Sequence, residues 1–271
     1  MTRSSHQTPL QRLTATGAEI RKENIVEETA VDLLALNDDH ELYSFATLLA
    51  TPIDLVELLA GHIVSEGYTS INVHRDSFTM KDDEHYVVEY HGQLNEHVQR
   101  RLVTTSCGAC NHPDLLVETI GERCNVSKFK NAQLDVVHDS LTALTASMPL
   151  FQSTGGSHGS GLILNDATLS FVSEDIGRHN AVDKTIGKAI FAGISEFDDT
   201  MLLLSGRCGW DIVAKAARTG ISAIASLGAF SSAAIKLARE HDITLFGFVR
   251  SDGAWKVGHS AEMSPSIDES N

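Results

Sequence analysis

Two cysteines near the middle of the chain are the residues best suited to do chemistry. Cys107 and Cys110 form a Cys-x-x-Cys pair, and Pro113 after them indicates the start of a helix. A thiolate just before the amino end of a helix is stabilised, so its pKa falls from roughly 8.5 toward ~3.5–7.5. Gly108 and Ala109 add little bulk and leave access for an attacking sulfur atom. The pattern therefore favours Cys107 as a sulfur nucleophile.

The cysteine pair also fits half of a zinc site, a redox disulfide or two inert thiols, and the pair alone does not separate these. A structural zinc site needs further ligands, whereas Cys124 and Cys208 are isolated in the sequence. Asn111 separates Cys110 from His112, so the haem-attachment pattern is missed by one residue. No His-x-Glu element precedes the pair, so zinc deaminase chemistry lacks its parts. We predict no metal site.

A glycine-rich segment at 154–161 contains His158 and leads into the predicted strand Leu162–Leu164. It does not connect a strand to a helix, so it is neither a Walker nor a Rossmann motif. Four glycines permit close approach of the backbone to a ligand, but a tight entry into a hairpin explains them nearly as well. Both interpretations stay open at this point.

The charged segment at 173–184 packs three acids, two bases and His179 into twelve residues at a predicted strand-to-helix junction. A solvated charge run is the alternative interpretation. Gly177 stands beside Arg178, and the following apolar residues recur at helical spacing, at Val182, Ile186 and Ile190. A buried helix face of this kind would fix the polar groups in place, so we favour a polar site that includes Arg178 and His179.

The amino-terminal part predicts a small α+β module. Val31–Asn37 and Leu42–Leu49 flank turn-forming residues and indicate a hairpin. Thr51 is expected to cap a helix in which Pro52 takes the first position. We place this module, with the cysteine loop, at residues 24–130. An amphipathic helix over 131–148 follows it.

The second half alternates strands and helices, which favours parallel strands with right-handed crossovers. The segments are Met201–Ser205, Asp211–Arg218, Ile221–Leu227, a helix capped by Ser231 and running through Glu240, and Thr244–Val249. Ligands of such sheets bind beyond the carboxyl ends of the strands. The residues expected there are Arg207 and the run Phe248, Val249, Arg250, Ser251, Asp252 and Gly253.

Composition limits the function classes. The formal charge of −15 is not that of a general binder of nucleic-acid phosphates. The chain has no run of the roughly 18 apolar residues needed to cross a membrane, and residues 1–23 lack the apolar segment of a secretory signal. We interpret 1–23 as a disordered tail and 259–271 as a polar tail. Four cysteines are too few for a disulfide scaffold, so a cytoplasmic protein with reduced thiols is expected.

Five stretches together resemble the FdhD/NarQ family of formate dehydrogenase accessory sulfurtransferases. They are the helix from Thr51 to Gly67, the loop Thr105–Cys110, Thr154–Gly156 with His158, Glu174–Lys184, and Ser205–Arg207. The resemblance implies a three-layer α/β core at 131–258, similar to the cytidine-deaminase-like fold but without its zinc, and a homodimer.

The resemblance also implies a reaction. A cysteine desulfurase would supply persulfide sulfur to Cys107, with Cys110 in support, and the sulfur would pass to the bis-molybdopterin guanine dinucleotide cofactor of molybdenum or tungsten. The recipient of that cofactor would be the catalytic subunit of formate dehydrogenase. Residues 248–253 match the cofactor-binding stretch of the family, and Arg207, His158, Arg178 and His179 are expected beside it. A cofactor-holding chaperone without sulfur transfer, or a zinc or thiol-disulfide protein, are the alternatives.

Overall fold

The computed structural model describes residues 4–82, 85–95, 101–103, 129, 132–164 and 167–258. Cys107, Cys110 and Cys124 lie outside the described residues, as do the predicted helix start at Pro113 and the tail at 259–271. The cysteine predictions therefore stay predictions.

The chain begins with an antiparallel hairpin of β1 (Ser5–Thr14) and β2 (Gly17–Val26). The prediction of a disordered tail over 1–23 was wrong. The ten residues of each strand pair in unbroken register, and Leu13 and Ile20 lie on the same face although both are exposed. Backbone hydrogen bonds hold this exposed ladder together, so it forms without the apolar run that the sequence lacks here.

A five-stranded sheet follows. Its strands are β3 (Thr29–Leu36), β4 (Leu42–Ala50), β5 (Phe78–Asp82), β6 (Val87–Gln93) and β7 (Arg101–Val103), and their order across the sheet is β5-β6-β3-β4-β7. The predicted hairpin is confirmed, because β3 and β4 are antiparallel neighbours. Their outer neighbours are parallel, β6 beside β3 and β7 beside β4.

Helix α1 (Leu55–Ser65) begins later than predicted. Asp54 precedes it in a left-handed conformation, with φ 51°, and makes no side-chain cap. Thr51 is not the cap, because its hydroxyl accepts a hydrogen bond from the backbone N–H of Ile176, at 3.1 Å. The hydroxyl oxygen of Thr51 is therefore occupied by a long-range hydrogen bond and does not cap the helix.

The larger sheet has six strands. They are β8 (His158–Ile163), β9 (Leu169–Asp175), β10 (Met201–Leu204), β11 (Ala223–Ser226), β12 (Thr244–Arg250) and β13 (Gly253–Val257), and their order across the sheet is β13-β12-β11-β10-β8-β9. As predicted, β10, β11 and β12 are parallel, while β8, β9 and β13 join antiparallel to their neighbours. The sheet is therefore mixed rather than wholly parallel.

Helices cover both faces of the larger sheet. The remaining helices are α2 (Leu134–Ala146), α3 (Pro149–Thr154), α4 (Arg178–Phe191), α5 (Trp210–Thr219) and α6 (Ser232–Glu240). Met201 and Leu203 pack toward α2, whereas Leu202 and Leu204 pack toward the opposite helices, as alternation along a strand requires. The predicted mixed α/β class is confirmed. The finer likeness to the cytidine-deaminase layering stays a prediction.

The predicted helix ends of this half are largely confirmed. The hydroxyl of Ser231 accepts from the N–H of Ala234 and caps α6, and Gly220 ends α5 in a left-handed conformation. The buried face expected after the charged segment is also present, since Val182 and Ile186 of α4 are fully buried.

Helices α1 and α4 pack closely at a pair of glycines. A Cβ atom on Gly61 would overlap the carbonyl oxygen of Asp183, and one on Gly187 would overlap that of Glu57. One apolar cluster continues from the five-stranded sheet through this contact into the larger sheet. The division of the chain at residue 130 stays a prediction. None of the described helices is long and apolar enough to cross a bilayer.

Candidate functional site at the carboxyl edge of the larger sheet

The topology brings the predicted site residues to one edge of the six-stranded sheet. Arg207 follows β10 and Arg250 ends β12, and these strands are parallel. His158 begins β8, which runs antiparallel to β10, so it lies at the same edge. Strand β9 ends there with Asp175, directly opposite His158. Arg178 and His179 then open α4 at this edge.

The backbone beside His158 is tied to the end of β10. The N–H of Gly159 donates to the hydroxyl of Ser205, at 2.8 Å, and the N–H of Ser205 donates to the carbonyl of Gly159, at 3.0 Å. A Cβ atom on Gly206 would lie 2.9 Å from Nδ1 of His158, so glycine leaves room for the ring. The imidazole is thereby held at the edge of the sheet.

Burial lowers the pKa of His158, and the neighbouring charges of Arg178 and Arg207 lower it further, against the opposing effect of Asp175. The ring is therefore neutral near pH 7 and can accept or donate a hydrogen bond. Arg207 is exposed and has no partner within the described part of the chain. An anion bound here would meet an unpaired guanidinium.

Asp175, which belongs to the charged segment, is fully buried and serves the fold. Its carboxylate accepts from the N–H groups of Thr51 and Gly177 and from the side chains of Asn180 and Lys184, at 2.6 to 3.0 Å. Every donor comes from the protein itself. This carboxylate anchors the start of α4 to the end of β4 and is not presented to a ligand.

Glu174 is also used within the fold. It accepts from the N–H groups of Leu150 and Phe151 at the start of α3, at 2.9 and 2.7 Å, and from the hydroxyl of Ser157, at 2.7 Å. A distant carboxylate thus takes the place of a local cap at the positive end of α3. It also fixes the glycine-rich segment.

The glycines of that segment have structural explanations. Gly155 ends α3 in a left-handed conformation, with φ 66°. A Cβ atom on Gly159 would overlap the side chain of Met148, and one on Gly161 would lie 2.8 Å from Leu169. Of the two interpretations of the glycine-rich segment, the one based on turns and packing accounts for these three glycines.

A second buried network joins α1, α4 and α5. Lys215 donates to Asp183 at 2.8 and 3.0 Å and contacts Glu66 at 2.5 Å, while Ser65 and His62 complete the contacts of Asp183. Burial opposes the charge on Lys215, but Asp183 and Glu66 outweigh it and raise the lysine pKa. For Glu66, burial is likewise outweighed, mainly by Lys215, and the pKa is lowered. These charges stabilise one another in the interior.

Arg178 and His179 face the edge and share a partner, Asp211, in the first turn of α5. Arg178 lies 3.4 Å from the Asp211 carboxylate, and Nε2 of His179 contacts the same oxygen. Burial lowers the pKa of His179 to about 4, against the effect of Asp211. Our sequence reasoning missed Asp211, which is 32 residues from His179; its only signal was its place just after the Ser205–Arg207 stretch.

Cys208 is the one cysteine among the described residues, and it is 1% exposed. Burial, and next the charge of Asp211, raise the pKa of its thiol well above the ordinary value. A thiol that stays protonated is a poor nucleophile. Cys208 is thus part of the core, and the reactive cysteine has to be sought elsewhere.

The end of β12 departs from a regular strand. Phe248 has a φ of 50°, uncommon for an aromatic residue, and the pairing with β13 shifts register between Gly247 and Arg250. Val249 is buried while Phe248 is 47% exposed. The guanidinium of Arg250 donates through Nη1 to the carbonyls of Leu227 and Val249, at 3.1 and 2.7 Å, and is held in place.

A cavity of about 360 Å³ opens beside this irregular strand end. One wall is the polar face of α2, and the other comes from the ends of β11 and β12. The residues that line it are His138, Leu141, Thr142, Thr145, Leu227, Val249, Arg250 and Ser251.

Strand β7 ends close to the same edge. Val103 pairs with Leu48, and the carbonyl of Leu49 accepts from the side chain of Asn180, at 2.8 Å. Two residues further, Thr51 binds Asp175. Val103, the last described residue before the cysteine pair, therefore lies beside β4, the strand that leads to the junction of β9 and α4.

Comparison with known proteins decides the family. The FdhD/NarQ family profile matches residues 26–261. The chain belongs to the FdhD/NarQ family. A protein from Thermoplasma acidophilum named Sulfur carrier protein FdhD is 32% identical over 247 residues, which cover 89% of this chain and 86% of that protein. A protein of the same name from Picrophilus torridus is 31% identical over 84% of this chain and 87% of its own length.

The fold is also found in a solved structure. The crystal structure of a protein from Desulfotalea psychrophila, provisionally described as a formate dehydrogenase accessory protein, matches with a TM-score of 0.73 and 22% identity. The match covers 96% of this chain and 99% of that one. It shows that this FdhD/NarQ chain shares that architecture.

In this FdhD/NarQ chain, the residues of the charged segment have two different roles. Internal hydrogen bonds occupy the carboxylates of Glu174, Asp175 and Asp183. The edge of the sheet retains Arg178 and His179, together with Asp211. No group of three or more metal-binding side chains was found among the described residues. The site that remains at the edge is cationic and is suited to an anionic ligand.

Proposed function

We propose that this protein is a sulfur carrier for formate dehydrogenase. Cys107 accepts sulfur as a persulfide from a cysteine desulfurase and passes it to the molybdenum or tungsten bis-molybdopterin guanine dinucleotide, which is then inserted into the catalytic subunit. The family and the names of its sulfur-carrier members support this proposal. The structural observation that carries it is the cationic edge beside the strand that leads toward Cys107.

The first step is an exchange between sulfur atoms. The Cys107 thiolate attacks the terminal sulfur of the desulfurase persulfide, a new sulfur–sulfur bond forms, and the desulfurase cysteine leaves as a thiolate. The step needs no external oxidant or reductant. Positioning of the two sulfur atoms supplies most of the acceleration.

The residues at the edge fit the second partner of the reaction. The cofactor carries diphosphate groups, and Arg207, Arg178 and Arg250 are the guanidinium groups placed along the edge. His158 and His179 stay neutral near pH 7 because their pKa values are lowered, so both can hydrogen-bond to an anion without a full charge. In a chain with a net charge of −15, such a basic cluster provides the attraction that the whole molecule lacks.

The test is sulfur loading measured by intact-protein mass spectrometry. After incubation with a cysteine desulfurase and cysteine, the wild type is expected to gain 32 Da (about one sulfur atom), and Cys107→Ala is expected to lose that gain. Cys208→Ala is the matched control, because Cys208 is buried and its thiol stays protonated. Cys110→Ala is expected to load more slowly but still to load.

Undiminished loading of Cys107→Ala would overturn the assignment. The cavity beside Arg250 favours a second candidate function, a chaperone that holds the cofactor without carrying sulfur. In that case the wild type would bind the cofactor but would show no persulfide on any cysteine. Association with formate dehydrogenase and a homodimeric state belong to both proposals.

A further inference from the structure

We propose that the protein binds a free basic amino acid, of the lysine type, in a cavity of about 600 Å³ at the amino edge of the larger sheet. Asp198 and Gly220 line this cavity, and they precede β10 and β11 by three residues each. The cavity therefore lies at the opposite end of these strands from Arg207. The proposal goes beyond the sulfur-carrier function and does not depend on it, and neither the sequence motifs nor the comparisons point to this cavity.

The first step of the argument is the charge of the cavity walls. Helices α1 and α5 both end at the cavity, and the glycines that follow them, Gly67 with φ 75° and Gly220 with φ 84°, line it. The carboxyl end of a helix carries partial negative charge, about half an elementary charge. Two such ends at one cavity favour a ligand that presents positive charge toward them.

Arg218 of α5 is the residue that points to a carboxylate on the ligand. Its side chain lines the cavity and is only 8% exposed. Nη1 donates to the carbonyl of Ser65, at 3.3 Å, and lies 3.5 Å from the carboxylate of Glu66. Nε and Nη2 make no hydrogen bond within the described residues, and Gly67 leaves the Nε side uncovered because a Cβ atom there would lie 3.7 Å from Nε. The parallel N–H groups of Nε and Nη2 match the two oxygens of a carboxylate.

Two carboxylates on the segment before β10 give the ligand its positive groups. Glu196 and Asp198 line the cavity, both are exposed, and neither pairs with a cation in the described part of the chain. Two carboxylates against the one guanidinium of Arg218 leave the lining with a net charge of −1. A phosphate dianion would be repelled by this excess and by the helix ends. A ligand with one carboxylate and two cationic groups balances it.

The hydroxyls and the size of the cavity agree with this ligand. Thr69, Ser70 and Ser195 line the cavity, and their hydroxyls make no hydrogen bond among the described residues, so they can accept from ammonium groups. The volume lies within the range of ligand pockets, roughly 300–1,000 Å³, and leaves room for a long side chain. A lysine at the carboxyl terminus of a peptide has lost its α-ammonium group. The free amino acid, with two cationic groups for two carboxylates, is therefore the better match.

Calorimetric titration of the full chain with lysine and three analogues tests each contact. Norleucine lacks the side-chain ammonium, Nα-acetyl-lysine lacks the α-ammonium, and cadaverine lacks the carboxylate. We expect lysine to bind and cadaverine to bind about ten-fold more weakly or worse, the factor for lost charged hydrogen bonds to a buried arginine. The other two analogues should bind about two- to five-fold more weakly, because Glu196 and Asp198 are exposed.

Variants of the chain locate the site. Arg218→Lys keeps the positive charge beside Glu66 but loses the fork, and it should weaken lysine binding about ten-fold. Glu196→Gln should weaken it about two- to five-fold. The matched control is Glu28→Gln, which makes the same change of net charge at an exposed position outside the cavity and should leave the Kd for lysine nearly unchanged.

Four results would overturn the proposal. They are no binding of lysine by the wild type, equal binding of cadaverine and lysine, equal binding of Nα-acetyl-lysine and lysine, and equal Kd values for Glu196→Gln and Glu28→Gln. Thermal melts show whether each variant is folded. If Arg218→Lys does not fold, the cadaverine titration of the wild type still tests the role of the guanidinium.

Discussion

Replacing Lys184 by Met is the perturbation that best tests whether the charged segment serves the fold. Lys184 and Asp175 are both fully buried, and Nζ lies 2.6 Å from the carboxylate. Methionine keeps most of the apolar stem, so the main loss is the charge opposite Asp175. Removal of one partner of a buried ion pair costs about 3–5 kcal/mol. Against a typical total stability of roughly 5–15 kcal/mol, this is a large fraction.

The matched control is Lys188→Met, one helical turn further along α4. Lys188 also binds a carboxylate, that of Asp54, at 2.7 Å, but both side chains are partly exposed. An ion pair of this kind contributes roughly 0–1 kcal/mol. We therefore expect urea denaturation to show a loss of about 3 kcal/mol or more for Lys184→Met and about 1 kcal/mol or less for Lys188→Met.

A double-mutant cycle with Asp175→Asn completes the experiment. Because each single change leaves one charge buried without its partner, the double variant should lose less than the sum, with a coupling of about 0.5–3 kcal/mol. Equal, small losses for Lys184→Met and Lys188→Met would refute the reasoning. In that case Asp175 would be free to take part in chemistry, and Asp175→Asn would lower sulfur loading while the protein remained fully stable.

Two further predictions concern stability. Gly187→Ala should destabilise the protein by at least about 2 kcal/mol in urea denaturation, despite the better helix propensity of alanine, because its Cβ would overlap the backbone of Glu57. Gly253→Ala is the control and should change stability little, because the space around Gly253 is open. Equal losses of stability in the two variants would contradict the packing argument. Stability should also fall as the pH drops from about 6.5 toward 4, because the unfolded chain then binds a proton at His179 that the folded protein, with its lowered His179 pKa, does not bind. Stability should fall further below about pH 4.3, because Glu66 then takes up a proton in the unfolded chain while the folded protein keeps this carboxylate ionised. His179→Gln should flatten the first part of the melting-temperature profile, and an unchanged profile there would exclude His179 as its source.

Local patterns in the sequence were sufficient for much of the architecture. The parallel arrangement of β10, β11 and β12, the cap at Ser231 and the buried face of α4 were predicted from spacing and residue type. These features depend on neighbours within a few residues, so their signal is present in short windows. The cationic edge was also predictable, because parallel strands place their carboxyl ends together.

The roles of individual charges were decided by the tertiary structure. The sequence shows three acids in one segment, but only long-range contacts reveal that Glu174 caps α3 and that Asp175 holds Thr51, 124 residues away. The same applies to Asp211 beside His179. A carboxylate is available to a ligand only if no buried donor of the protein has already taken it, and those donors come from distant parts of the chain. Sequence by itself determined which groups exist and where strands end; packing determined which of them remain free.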